Sequence, residues 1–118
     1  MNIDGNLINV IGVKENGDLN KSVNKKGYNI VLSHFYDIIK NETEMDLILV
    51  GDTHGGQINI PLIGKKVLDF LFNFDYLKGK YFVDDTVLYV NRGIGTSKVN
   101  VRLRCRPEIA LIEVKGRK

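Results

Sequence analysis

Two short apolar runs predict buried strands, and each one ends just before a histidine-bearing loop. The first run is Tyr28 to Leu32, followed by Ser33-His34. The second is Asp46 to Val50, followed at once by the stretch Gly51-Asp52-Thr53-His54-Gly55-Gly56. An apolar strand that opens into a loop rich in Asp, His and Gly is typical of a metal or phosphate site. Both histidines of the chain therefore follow the end of a predicted strand.

Further patterns predict two hairpins and a few short elements. One hairpin turns at Asp4-Gly5-Asn6, and the other joins Lys80–Val83 to Thr86–Val90 through Asp84-Asp85. Helical spacing of apolar residues predicts a short helix over residues 35–41. The remaining predictions are a short strand at Gln57–Ile60, a helix or a packed loop around residues 67–72, a half-exposed strand or edge at Val101–Cys105, and a final strand at Glu108–Val114.

These elements favour an α/β fold with a mostly antiparallel sheet and few short helices, because the hairpins link neighbouring strands. At 118 residues the chain is one domain, 1–118, without an internal repeat. No apolar run approaches the ~20 residues of a membrane span. No basic and apolar leader stands at the N-terminus, so no signal peptide is expected. A single cysteine, Cys105, favours a reducing, cytoplasmic compartment.

Charge is distributed unevenly along the chain. Residues 1–90 carry 9 basic and 12 acidic groups, whereas residues 91–118 carry 8 basic and 2 acidic groups. This skew favours an anionic partner such as a phosphate ester or a nucleic acid. A basic edge strand that resists aggregation explains it equally simply. Nucleic acid is the less favoured partner, because no aromatic residues for base stacking alternate with these arginines.

The candidate metal ligands are His34, Asp52 and His54. If the two strands that precede them are neighbours, all three side chains converge beyond the strand ends. Imidazole and carboxylate ligands suit Mn, Fe, Zn or Ni, and no thiolate is present to favour softer metals. Gly55 and Gly56 would let the backbone approach a metal-bound phosphate. The alternative for each histidine is a hydrogen-bonded structural imidazole.

Other candidates for chemistry have simple structural alternatives. Arg92 is a candidate phosphate ligand because a guanidinium binds phosphate bidentately, although a loop arginine is commonly solvated. The sequence Gly93-Ile94-Gly95-Thr96-Ser97 resembles a phosphate cradle only loosely. Asp84-Asp85 is most simply a hairpin turn, and Cys105 is more simply a packed residue than a nucleophile.

Four spaced motifs resemble the calcineurin-like metallophosphoesterases, in particular bacterial phosphodiesterases with a Gly-His-Thr-His-Gly-Gly-Gln motif. The matching segments are Leu32-Ser33-His34 with Asp37, Gly51 to Gln57 with Pro61, Leu88 to Ser97, and Arg106-Pro107-Glu108-Ile109. The resemblance implies a four-layer α-β-β-α sandwich with a two-metal site between its sheets. It covers the C-terminal half of that catalytic domain.

By this resemblance, His34 and position 52 bind one metal and His54 binds the other. Position 52 departs from the family motif, since Asp52 stands where a histidine is usual. The earlier family motifs are an Asp-x-His pair, a Gly-Asp-x-x-Asp that supplies the bridging carboxylate, and a Gly-Asn-His-Asp/Glu that supplies the catalytic imidazole. The sequence contains neither a Gly-Asp-x-x-Asp nor a Gly-Asn-His-Asp/Glu, and its Asp52-Thr53-His54 lies in the segment that matches the Gly-His-Thr-His motif. The catalytic residues are therefore unknown from this chain.

The resulting expectation is a phosphomonoesterase or phosphodiesterase that is incomplete in this chain. The isolated chain is expected to be inactive or weakly active. Its partners would be a phosphate-ester substrate and either a second copy or an N-terminal half supplied by another chain. The alternative is a non-catalytic metal- or phosphate-binding module that keeps the fold without the chemistry.

Overall fold

A mixed sheet of six strands dominates the residues that the computed structural model describes, which are 1–14, 19, 22–40, 44–51, 76, 78–95 and 106–116. A short 3-10 helix, Tyr36–Lys40, follows the third strand. Across the sheet the strand order is β1-β2-β3-β4-β6-β5. The strands are β1 (Asn2–Ile3), β2 (Asn6–Val13), β3 (Tyr28–Ser33), β4 (Leu47–Val50), β5 (Gly79–Val83) and β6 (Thr86–Val90).

The expectation of a mostly antiparallel sheet is wrong. Strands β2, β3, β4 and β6 pair in parallel, and only β1 with β2 and β5 with β6 pair antiparallel. The two predicted hairpins are present, but they occupy the two edges of the sheet. Between the central strands the connections are long enough for crossovers, as parallel pairing requires. Apolar runs such as Leu47–Val50 fit this arrangement, because the strands of parallel sheets are often continuously apolar.

The first hairpin has the geometry that its sequence predicts. Asp4 and Gly5 both adopt positive φ, 50° and 80°. A two-residue turn with positive φ at both positions is of the I′ type, which follows the right-handed twist of the strands. The second hairpin joins Val83 to Thr86 through Asp84 and Asp85, as predicted.

One face of the sheet holds the core. Ile11, Val31, Ile48 and Leu88 are aligned partners on four adjacent parallel strands, and all four are buried. The next aligned row on the same face includes the buried Val50 and Val90. Further apolar residues pack against these rows: Val13, Leu19, Val23, Ile38, Ile39, Met45, Tyr76 and Tyr81. The 3-10 helix thus packs on this face through Ile38 and Ile39, where a short helix was predicted.

The opposite face of the sheet leaves apolar side chains in water. Val10, Leu32 and Phe82 lie on this face by strand register, and they are 54%, 43% and 72% exposed. Within the described part of the chain, no helix is long and apolar enough to cross a membrane.

The predicted final strand at Glu108–Val114 is wrong, because residues 106–116 form no strand. Residues with high strand propensity form a strand only beside the edge of another strand, and the described residues 106–116 pair with no such edge. Ile109 and Leu111 are instead 88% and 98% exposed. The elements predicted at residues 57–60, 67–72 and 101–105 lie outside the described residues.

A buried asparagine ties the start of β3 to its surroundings. Asn29 is only 2% exposed. Its Oδ1 accepts hydrogen bonds from the Asn9 Nδ2 at 3.2 Å and the Asn24 backbone N at 3.0 Å. Its Nδ2 donates to the carbonyl oxygens of Asn24 at 3.0 Å and Gly27 at 3.1 Å. Its backbone N donates to Asp46 Oδ2 at 2.6 Å. Each polar atom of this side chain is therefore satisfied, as burial requires.

Candidate functional site

The carboxyl ends of three parallel strands meet at one edge of the sheet. Ser33, Val50 and Val90 are aligned partners at the ends of β3, β4 and β6. The residues that follow them, His34, Gly51 and Asn91, therefore leave the sheet side by side, with neighbouring strands about 4.8 Å apart. The two strands that precede the histidine-bearing segments are neighbours, which is the condition that the sequence sets for convergence of the candidate ligands.

This carboxyl edge continues one residue beyond β6. The backbone N of Asn91 donates to the carbonyl oxygen of Val50 at 2.8 Å. The Asn91 side chain then closes a tight turn, because its Oδ1 accepts a hydrogen bond from the Gly93 N at 2.6 Å. Gly93 has a φ of +64°, a conformation that glycine adopts without a steric penalty. The turn carries Arg92 at its centre, next to the end of β4.

His34 is exposed at the carboxyl edge, directly after β3. Its ring meets the Phe35 ring edge-on, with centroids 4.5 Å apart and an interplanar angle of 81°. The other residues predicted to form the site, Asp52, His54, Gly55 and Gly56, lie outside the described residues. Among the residues that are described, no group of three or more His, Cys, Asp or Glu side chains stands close enough to hold a metal.

Glu108 links the segment 106–116 to the carboxyl edge. Its backbone N donates to the Gly93 carbonyl oxygen at 3.0 Å. Its Oε2 accepts a hydrogen bond from Arg92 Nε, and its Oε1 accepts one from the Tyr89 hydroxyl. The Glu108 side chain is 14% exposed and that of Arg92 is 32% exposed. Arg92 is thus a partly exposed arginine that is paired with Glu108.

The hydrogen bonds in this cluster shift the ionisation of both acids. The bond from Tyr89, and then the bond from Arg92, hold the pKa of the Glu108 carboxyl below its ordinary value. The same bond to Glu108 raises the pKa of Tyr89, and burial and the negative charge of Glu108 act in the same direction. Glu108 is therefore an ionised carboxylate and Tyr89 a neutral donor at neutral pH.

Sequence reasoning assigned no role to Tyr89 or Glu108. Both residues stand inside motifs that carry the family resemblance, Leu88 to Ser97 and Arg106 to Ile109. Their position in these motifs was the signal that could have identified them. Their pairing joins segments that are distant in sequence, and no periodic pattern predicts it. The arginine alternation that favoured an anionic partner lies at residues 101–106, of which the structure describes only the exposed Arg106.

Comparisons with known proteins identify relatives with consistent names. YkuE of Bacillus subtilis (strain 168), named an uncharacterized metallophosphoesterase, is 34% identical over 91 residues, which are 75% of this chain and 32% of YkuE. The phosphodiesterase YaeI of Escherichia coli (strain K12) is 34% identical over 87 residues, 72% of this chain and 32% of YaeI. YkoQ of Bacillus subtilis (strain 168), also named an uncharacterized metallophosphoesterase, is 28% identical over 116 residues, 91% of this chain and 43% of YkoQ.

No protein-family model matches the chain, and no solved structure matches it. The relatives nevertheless confirm the resemblance that the motifs indicate, since they align with most of the chain. The match is partial on their side, because the chain spans between 32% and 43% of their length. Over the part of those proteins that it spans, this chain belongs to the metallophosphoesterase family.

Proposed function

We propose that this chain is the C-terminal portion of a metal-dependent phosphoesterase domain and that it supplies part of the metal and phosphate site. The observation that carries the proposal is the register that aligns Ser33, Val50 and Val90. This register supports the proposal, because His34, Gly51 and Asn91 follow the ends of neighbouring parallel strands. Ligands of open α/β sheets bind beyond such strand ends.

The chemistry of the donor set fits a divalent transition metal. His34 is exposed at the carboxyl edge and is the first proposed ligand, and Asp52 and His54 are the proposed further ligands. Imidazole and carboxylate together suit Mn, Fe, Zn or Ni, and the complete family site holds two such ions. When bound, the metal supplies Lewis acidity and a hydroxide nucleophile.

The remaining residues of the proposed site bind and orient the phosphate ester. Gly55 and Gly56 lack side chains, so the backbone N–H groups of this loop can come close to phosphate oxygens. Arg92 provides a positive charge on the neighbouring turn. A phosphate ester is the proposed substrate class, which agrees with the name phosphodiesterase that YaeI carries.

Metal binding provides the direct test of this function. We expect the purified chain to bind Zn²⁺ or Mn²⁺, and we expect His34→Ala and His54→Ala each to weaken binding by at least about tenfold, because each removes one proposed ligand. Isothermal titration with the metal, or metal content after dialysis, measures it. Asp85→Asn, at the opposite end of the sheet, is the matched control and should bind as the wild type does. Equal and negligible metal in all the proteins would contradict the proposal.

The exposed face of the sheet supports a proposal about assembly. Val10, Leu32 and Phe82 are exposed apolar side chains on this face, and exposed apolar groups are often covered by a partner. We propose that a second copy of this chain packs face to face against this surface when no other chain supplies an N-terminal half.

Light scattering at micromolar concentration tests this assembly. We expect the mass of a dimer or larger species for the wild type, and a shift towards the monomer for Phe82→Ser, which removes the most exposed side chain of that face. Ile94→Ser changes an equally exposed residue in a loop and should leave the mass unchanged. A monomeric wild type would exclude the dimer.

A further inference from the structure

Both oxygens of the Glu108 carboxylate accept hydrogen bonds from neighbouring side chains. One oxygen accepts from the Tyr89 hydroxyl and the other accepts from Arg92 Nε. The backbone of the same residue donates to the Gly93 carbonyl oxygen at 3.0 Å. Three contacts therefore attach Glu108 to the end of β6 and to the turn that follows it. A carboxylate held this firmly on both sides has a fixed orientation.

That orientation determines the orientation of Arg92. A guanidinium is planar, so a fixed bond at Nε fixes the plane in which its remaining N–H donors lie. The backbone on either side of Arg92 is also held, through Asn91 N to Val50 O at 2.8 Å and through Gly93 N to the Asn91 Oδ1 at 2.6 Å. Arg92 is thus constrained at its backbone and at its guanidinium.

We propose that Glu108 is a positioning residue, which holds the guanidinium of Arg92 for a phosphate group at the carboxyl edge of the sheet. The inference rests on the proposed function, because it takes phosphate as the group that Arg92 binds. Tyr89 acts in the same assembly, since its hydroxyl holds the second oxygen of Glu108. An arginine that is already oriented loses less side-chain entropy when it binds an anion than a mobile arginine does.

Electrostatics alone predicts that removing the charge of Glu108 strengthens phosphate binding, whereas positioning predicts that it weakens binding. Removing a negative charge beside Arg92 raises the local positive potential, so a phosphate would bind more tightly if Glu108 only screened or competed for the guanidinium. Positioning predicts weaker binding despite the more favourable charge. The sign of the change therefore separates the two roles.

The test uses inorganic phosphate as the probe and the full chain in each variant. We expect Glu108→Gln to weaken phosphate binding by about tenfold, the size of one hydrogen bond to a charged group. Tyr89→Phe should weaken it less, because the Glu108–Arg92 contact survives. Glu113→Gln is the matched control: it removes the same charge from the same segment, at a residue that pairs with Lys115 at 3.3 Å. It should bind phosphate as the wild type does or slightly more tightly.

A second readout follows Arg92 without any ligand. The Nε–H resonance of Arg92, assigned by its absence in Arg92→Lys, should exchange slowly with solvent in the wild type and in Glu113→Gln, and rapidly in Glu108→Gln. Unchanged exchange in Glu108→Gln, or phosphate binding as tight as or tighter than wild type, would overturn the positioning role. If the exchange changes as expected but the wild type and Arg92→Lys bind phosphate equally, the arginine is held for another purpose. In that case the phosphate contact of the proposed function fails, and the inference fails with it.

Discussion

The isolated chain is expected to show no turnover of bis-p-nitrophenyl phosphate above background, even with Mn²⁺ present. The reason is chemical. The sequence lacks the family motifs that supply the bridging carboxylate and the catalytic imidazole. If His34 and His54 bind metal as proposed, neither residue remains to protonate the leaving group, and general acid catalysis commonly contributes 10²–10⁴-fold. A steady-state assay with protein in the micromolar range measures this.

Asp52→His provides the informative variant for the same assay. It restores the histidine that the family motif has at this position. We expect it to tighten Zn²⁺ or Ni²⁺ binding, because imidazole suits these ions better than a single carboxylate does. We expect no turnover from it, because a bridging carboxylate is still needed to hold two ions ~3.5–4 Å apart. Robust metal-dependent hydrolysis by the wild type, lost in His54→Ala, would show that this chain or a second copy of it supplies the missing groups.

The strands could be predicted from local pattern, but the direction of their pairing could not. Leu47–Val50 is apolar throughout, and that suffices to predict a buried strand. Whether it pairs in parallel with β3 depends on how residues 34–46 connect the two strands, and no local periodicity reports that path. Hairpins are the exception, because the turn itself sets the pairing, as at Asp4-Gly5. The sequence therefore predicted the edges of the sheet more completely than its centre.

The same limit applies to the candidate site. The position of His34 beyond a strand end is a local property and was predictable. The contact between Glu108 and Arg92 joins two segments that are distant in sequence, and it depends on how residues 106–116 return to β6. The exposed Ile109 and Leu111 show why a local pattern can also mislead. Their strand propensity is a local property, but a strand also needs a neighbouring edge to pair with, which the local sequence does not report.

Replacing the amide of Asn29 by a carboxyl is a small change, but it is expected to reduce the stability of the fold strongly. Asn29→Asp preserves the shape of the side chain but removes the two N–H donors that now reach the carbonyl oxygens of Asn24 and Gly27. Each carbonyl left without its partner costs about 1–3 kcal/mol when buried. The new carboxyl also lies close to these oxygens and to Asp46, so its charged form is disfavoured.

We expect Asn29→Asp to lower the free energy of unfolding by about 2–4 kcal/mol at neutral pH, because two part-buried hydrogen bonds are lost and a charge is placed at a buried position. The loss should shrink as the pH falls. Burial and the neighbouring oxygens raise the pKa of the new carboxyl in the folded state, so the folded variant binds a proton before the unfolded chain does, and protonation restores one donor. Urea unfolding at pH 7 and at pH 5 measures the difference, provided that the wild type is followed at both values.

Asn24→Asp is the matched control, since that side chain is exposed and its Oδ1 only accepts a bond, from Lys26 N at 3.0 Å. It should cost no more than about 0.5 kcal/mol. Equal losses in the two variants, or a loss at Asn29 that does not change with pH, would show that the buried amide does not hold this end of the sheet.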